Sequence, residues 1–317
     1  MAGSVSGALV LALDVGGTNM RGEVLDSRLG APVASLSLPT PERDGEATLS
    51  AIEILCRRLL DELTPAQRDR VEVVGLGVPG IVDPVKGVVR LAGNLGWVNM
   101  PVAARLTERL DLPVLVHHDV TAAGLAEQVL GAGSGVEDLL AVFIGTGIAA
   151  TIVVGGKAVA GGLHQAGEIG HVPITPDGLL CPCGQRGCLE MYSSARAIGR
   201  AYGEVTGNPD ATSLDVVNAL GSDSRADAVW SDALDALAHG LLGAITLLSP
   251  SRVVVGGGLS GAGSVLVEPL RARLVARARV AAIPPIVTAR LGQRAGVLGA
   301  ALATFRQLAV TPERLPA

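Results

Sequence analysis

The stretch "ALVLALDVGGTNMRGEVLD", residues 8 to 26, sets the terms for the whole chain. Its apolar run from 8 to 14 predicts a buried strand, the Gly16–Gly17 pair a tight turn, and the alternation after it a second strand. The same device returns roughly 130 residues later in "LLAVFIGTGIAATIVV", residues 139 to 154. Two apolar strands again flank a glycine turn. A fold that opens twice in the same way predicts two similar halves facing a cleft.

Between the copies, Leu49, Ile52, Leu55, Leu59 and Leu63 recur at helical spacing over 45 to 63, with Asp44 as N-cap. "VEVVGLGVPG" (71 to 80) reads as a strand, "AGNLGWVNM" (92 to 100) as a loop, and Pro101 as the first position of a helix. "LPVLVHHD" (112 to 119) reads as a strand ending in an acid, followed by a helix over "VTAAGLAEQVL". After the second copy, helices resume near 192, with a long one over 226 to 248. A strand then enters "GGGLSGAG" (256 to 263), and a last helix covers 295 to 309. The expected class is α/β, with a small domain of 1–119 plus 295–317 and a large domain of 120–294.

The chain has 317 residues, a net charge of −5, and only two Trp, two Tyr and two Phe, so its core must be aliphatic. No Lys/Arg cluster offers a footprint for nucleic acid or an anionic membrane. The first basic residue is Arg21, which leaves the N-terminus without the positive flank of a signal peptide. Residues 139 to 156 carry no charge, a length at the threshold for a membrane span of about 18 residues. The GTG break and β-branched content read instead as two buried strands. Four cysteines, with Cys56 isolated in a helix, do not form a secreted disulfide framework, and a cytoplasmic setting is expected.

Three glycine turns could cradle phosphate with backbone N–H groups: Gly16–Gly17, Gly145–Gly147 and Gly256–Gly258. A plain hairpin turn is the simpler reading of the first two. Asp14, beside the first turn, favours phosphate if Mg²⁺ stands between the charges. The third turn spells G-x-G-x-x-G after a strand, yet no acid follows between Glu268 and Glu313 to hold a ribose. No P-loop is present. The pattern points to a two-lobed phosphotransferase.

"HVPITPDGLLCPCGQRGCLE", residues 171 to 190, gathers three of the four cysteines. Cys181, Cys183 and Cys188 with His171 supply a closed tetrahedral zinc set, whereas a disulfide would leave one thiol over. A full ligand set makes the metal structural. Asp119 reads alone as a helix N-cap, and Glu168 and Glu190 as turn or surface acids. Together with His171 and the glycine turns they suggest a site for a polyhydroxyl compound.

"DVGGTN", "GLGVPGIVDP", "AGNLGW", "GTGI", "AGEIGH" and "CPCGQRGCLE" resemble the motifs of the bacterial ROK family (repressors, open reading frames and sugar kinases), nearest its ATP-dependent glucokinases. The resemblance runs from about residue 9 to the last helix. It implies a duplicated, actin-like (ribonuclease H-like) fold, ATP bound in the interlobe cleft, lobe closure against water, and transfer of the γ-phosphate to a hexose 6-hydroxyl.

By this resemblance Asp119 is the base. Asn94, His118, Glu168, His171 and Glu190 line the sugar, and Gly80 borders it. Asp14, Gly16, Gly17, Thr18 and Asn19 handle Mg²⁺ and phosphate, Gly145, Thr146 and Gly147 form the second phosphate turn, and Gly256, Gly257 and Gly258 lie near the adenosine. His171 serves both zinc and sugar. Relatives are commonly homodimers or homotetramers. Two departures stand out: His118 replaces the family's usual Asn before the base, and Ala149 and Ala150 follow the second glycine turn where another glycine is usual.

Repressor members carry an N-terminal helix-turn-helix, for which a first motif at Asp14 leaves no room. The alternatives to a glucokinase are an N-acetylmannosamine or N-acetylglucosamine kinase and a non-catalytic sugar sensor. A polyphosphate donor is disfavoured, because relatives that use it tend to lack this cysteine signature.

Overall fold

A computed structural model describes residues 7–310. The chain forms two compact units. The first comprises the chain up to Ala126, Gly161–Gln165 and the stretch from Gln293 onward; the second comprises Glu127–Ala160 and Ala166–Gly292. The expected boundary at 119/120 falls instead inside one continuous helix, Asp119–Leu130, whose first two turns belong to the first unit.

In the first unit, β1 (Leu9–Val15), β2 (Asn19–Asp26), β3 (Ala34–Pro39), β4 (Val71–Val78) and β8 (Val114–His118) form a sheet in the order β3-β2-β1-β4-β8. β1 and β2 are the predicted hairpin, with Asp14 paired to Arg21. β1, β4 and β8 run parallel, so their C-terminal ends fall on one edge. In open α/β sheets this edge is where ligands bind.

Helix α1 (Gly45–Asp61) starts where the sequence placed it: Asp44 Oδ1 accepts from the backbone N–H of Glu46 and Ala47 at 3.1 and 3.0 Å. Its Leu49, Ile52, Leu55 and Leu59 join Leu11, Leu13 and Leu76 in an aliphatic core. Pro101 is the N-cap rather than the first residue of helix α3 (Val102–Leu110). A short helix, α2 (Pro65–Arg68), leads into β4.

The stretch expected as a loop is a small sheet. β5 (Ile81–Asp83), β6 (Val88–Ala92) and β7 (Trp97–Met100) pair antiparallel. Strands this short, with a register shift in β5–β6, show no readable period.

In the second unit, β9 (Leu139–Ile144), β10 (Ile148–Val154), β11 (Lys157–Ala158), β12 (Arg252–Gly256) and β13 (Ile286–Thr288) order as β11-β10-β9-β12-β13. The uncharged stretch from 139 is thus two sheet strands around the Gly145–Gly147 turn. The remaining helices are α4 (Asp119–Leu130), α5 (Glu190–Ser193), α6 (Ala195–Thr206), α7 (Ser213–Ala219), α8 (Ser224–Leu248), α9 (Ser264–Arg277) and α10 (Ala295–Val310). Among the described residues α8 alone is long and apolar enough to cross a membrane. Its Leu234, Leu237 and Leu241 are buried in the core of the second unit, as in a core helix.

Glu127, on α4, is a buried carboxylate with no signature in the sequence. It accepts from the backbone N–H groups of Ala132 (2.8 Å), Leu291 (2.7 Å) and Arg290 (3.0 Å), pinning the distant 290–291 segment to the loop that follows α4. Glu127→Ala would strand three donors and is expected to cost about 3–5 kcal/mol in chemical denaturation. A loss below about 1 kcal/mol would show that water replaces the carboxylate.

Candidate active site

The first unit assembles one group of the predicted residues at the C-terminal edge of its parallel strands. Asp14 is the penultimate residue of β1, Gly80 follows β4, and His118 and Asp119 join β8 to α4. Gly16 N–H donates to the Asn19 carbonyl at 3.0 Å to close the hairpin turn, and Thr40 Oγ1 donates to the Gly16 carbonyl at 2.7 Å. Asn94 lies over this turn, its Nδ2 3.2 Å from where a Cβ on Gly17 would stand. Gly80 has φ +97° and packs against the Leu91 carbonyl, with no room for a Cβ; only glycine fits both conditions.

Two carboxylates with raised pKa stand here. Asp14 packs on Gly296 in the first turn of α10, and its pKa rises to about 7 through burial and then the charge of Asp119, against the pull of Arg21. Asp119 rises to about 6 through burial, opposed by the Val120 N–H that donates to its Oδ1 at 2.6 Å. A divalent cation is the chemical partner that would offset two acids pushed up in this way. Neighbouring His117 is half-buried, desolvation takes its pKa down to about 4, and its Nε2 is 3.0 Å from Thr304 Oγ1.

The second unit gathers the other group. β9 and β12 run parallel with Gly256 opposite Phe143, and Gly257 sits against the Ile144 backbone, so the second and third glycine turns share one edge. Ala195 N–H donates to the Gly145 carbonyl at 2.9 Å, tying α6 to the second turn. A cavity of about 820 Å³ opens beside it, lined by Thr146, Arg196, Gly199, Arg200, Glu204 and Thr212 among others. Its volume suits a nucleotide-sized ligand. Arg196 and Arg200 carry no signature in the sequence: they sit in an ordinary amphipathic helix, and folding alone brings them to the phosphate turn.

His171, Cys181, Cys183 and Cys188 converge, with ligand atoms all within 4.8 Å of one another. Cys181 Sγ to His171 Nδ1 and Cys183 Sγ to Cys188 Sγ are both 3.7 Å, and all four of the protein's cysteines are free thiols. Ligands at 2.0–2.3 Å on a tetrahedral zinc stand about 3.5–3.8 Å apart, so the donor set fits that ion. A backbone turn from Cys181 to Gly184 (2.9 Å) and a bridge between Pro173 and Cys188 shape the loop.

Glu190, the first residue of α5, links this cluster to the second glycine turn. Its Oε1 is 3.6 Å from His171 Nδ1, and its Oε2 is 2.7 Å from where a Cβ on Gly147 would stand. Glu168 Oε2 lies 3.9 Å from His171 Nε2. The imidazole thus stands between two carboxylates, one toward each ring nitrogen.

Compared with known families, residues 10–306 match the ROK family. The chain belongs to the ROK family. A glucokinase of Halalkalibacterium halodurans is 35% identical, over 91% of this chain and 92% of the relative. A ROK hexokinase structure from Thermus thermophilus is 33% identical with a TM-score of 0.79, covering 95% of this chain and 99% of that one. A ROK glucokinase structure from Streptomyces griseus, in complex with glucose and AMPPNP, is 29% identical with a TM-score of 0.81, covering 93% and 98%. This ROK chain has the actin-like α/β fold of those kinases, as its motifs implied.

Proposed function

We propose that this chain is an ATP-dependent hexose kinase that phosphorylates the 6-hydroxyl, with glucose as the favoured sugar. The observation that carries the reading is Asp119: a carboxylate with raised pKa at the end of β8, in one unit with Asp14, the first glycine turn, Gly80 and Asn94. Its support from relatives is the glucokinase match and the bound glucose and AMPPNP of the S. griseus structure.

In the proposed mechanism Asp119 accepts the proton of the sugar hydroxyl as that oxygen attacks the γ-phosphorus, and the bond to the β-phosphate oxygen breaks to release ADP. Asp14 and Thr18 would hold Mg²⁺, which would supply charge neutralisation at the phosphates. Gly16, Gly17 and Asn19, with Gly145, Thr146 and Gly147, position phosphates by backbone N–H groups and side-chain donors. Gly256, Gly257, Gly258 and the cavity at Thr146 take the nucleoside. Asn94, Glu168, His171 and Glu190 orient the sugar, beside Gly80. His171, Cys181, Cys183 and Cys188 would hold a structural Zn²⁺, which would fix the loop carrying His171.

The base must be ionised to work, so kcat/KM is expected to fall as pH drops through about 6. A profile that stays flat from about pH 8 down to 5 would remove Asp119 from that role.

The deciding experiment is ADP release from Mg-ATP with glucose, mannose, fructose, N-acetylmannosamine, N-acetylglucosamine or no sugar. Release that depends on glucose supports the reading; release with an N-acetylhexosamine instead reassigns the substrate. Background release with every sugar makes the chain a sugar sensor.

A further inference from the structure

We infer that His118 is a positioning residue for Asp119, fixed in one tautomer by the start of α4, rather than the sugar contact its place in the sequence suggests. The inference rests on the kinase reading of Asp119.

Two sides of the imidazole carry the argument. The backbone N–H of Thr121 donates to His118 Nδ1 at 3.3 Å, and Thr121 Oγ1 lies 3.0 Å from the same nitrogen. A backbone amide can only donate, so Nδ1 is an unprotonated acceptor and the neutral ring carries its proton on Nε2. Nε2 stands 3.4 Å from Asp119 Oδ1. That separation is long for a hydrogen bond, as catalytic contacts often are before substrate tightens them.

Oδ1 also receives the Val120 N–H at 2.6 Å. Both contacts fall on one oxygen, so the rotation of the carboxylate about its Cβ–Cγ axis is set from the Oδ1 side. Only about a fifth of either side chain is exposed, His118 at 21% and Asp119 at 22%, so water competes poorly for the contact. An asparagine amide has two donor hydrogens and can serve a carboxylate and a sugar together. The single Nε2–H of histidine serves one, and here it faces the base.

The test compares His118→Leu with His118→Gln in kcat, sugar KM and melting temperature. Glutamine places an amide nitrogen near the Nε2 position but cannot reproduce Nδ1 as the cap for Thr121. Leucine removes both groups. Removing the oriented donor should lower kcat by about ten- to hundredfold in the leucine variant with sugar KM within about threefold, and glutamine should restore most of the turnover despite a lowered melting temperature. Three results would overturn the assignment. A raised sugar KM at unchanged kcat would make His118 a sugar contact. A loss of stability alone in both variants would make it a helix cap. Equal loss of kcat in both would mean the Nε2 position does not matter. Wild-type turnover in the same assay tests the kinase reading separately.

Discussion

Asp119→Asn is expected to lower kcat by about 10²–10⁴-fold while leaving the protein at least as stable as before. The two halves of this expectation come from the same geometry. Asparagine keeps an oxygen for the Val120 N–H, which now donates to Oδ1 at 2.6 Å, so α4 begins as before. It has no basic oxygen for the hydroxyl proton, and the barrier should rise by about 2.7–5.5 kcal/mol. The stability sign is opposite to that of most polar substitutions. Asp119 and Asp14 both bind protons more tightly when folded, with pKa values pushed up to about 6 and about 7 from the ordinary 3.8. An acid whose pKa is raised by folding costs stability above its folded pKa, and the cost fades as pH falls toward the unfolded value. At about pH 8, removing the Asp119 charge should therefore add roughly 1–3 kcal/mol. Turnover with saturating sugar and ATP, beside a thermal melt at the same pH, checks both halves. Normal turnover would return Asp119 to the helix cap that its sequence position first suggests.

Purified wild-type protein is expected to hold one zinc ion per chain and Cys183→Ser to hold none. The four donor atoms lie within 4.8 Å of one another, a set that a tetrahedral ion would draw together. Cys183 is the exposed member, so its replacement disturbs packing least. Without the ion, the thiols of Cys181 and Cys188 regain protons and His171 loses the partner that fixes its ring. The sugar wall should loosen, raising sugar KM about 10–100-fold, the usual scale for removing a group that orients a ligand-binding side chain, with ATP KM changed less. Elemental analysis and paired KM measurements decide it. Absence of zinc from freshly purified wild type would end the structural-metal proposal, and equal rises in both KM values would show general unfolding.

Different parts of the site were legible for different reasons. The glycine turns and the cysteine cluster declare themselves because their residue types are unusual and their spacing is local. Asp119 was ambiguous, since a helix cap and a base look alike in sequence; in the structure it is the first residue of α4, and His118 Nδ1 takes the Thr121 N–H. Arg196 and Arg200 were silent because a helix surface arginine acquires meaning only from what packs beside it. The small sheet over 81 to 100 was missed because three strands of three to five residues leave no period to read.

The sequence by itself determined the repeated strand–turn–strand openings, the aliphatic cores, the cap at Asp44, and the residue types able to hold zinc or phosphate. Each follows from local periodicity or from chemistry confined to a few adjacent positions. Only the tertiary structure decided that Asp14 and Asp119, 105 positions apart in the chain, come close enough for the charge of Asp119 to raise the proton affinity of Asp14, that Glu190 reaches both His171 and Gly147, and that His118 Nε2 stands 3.4 Å from Asp119 Oδ1. Those are distances between strand ends and loops, and sheet order, which the order of residues along the chain does not contain, sets them.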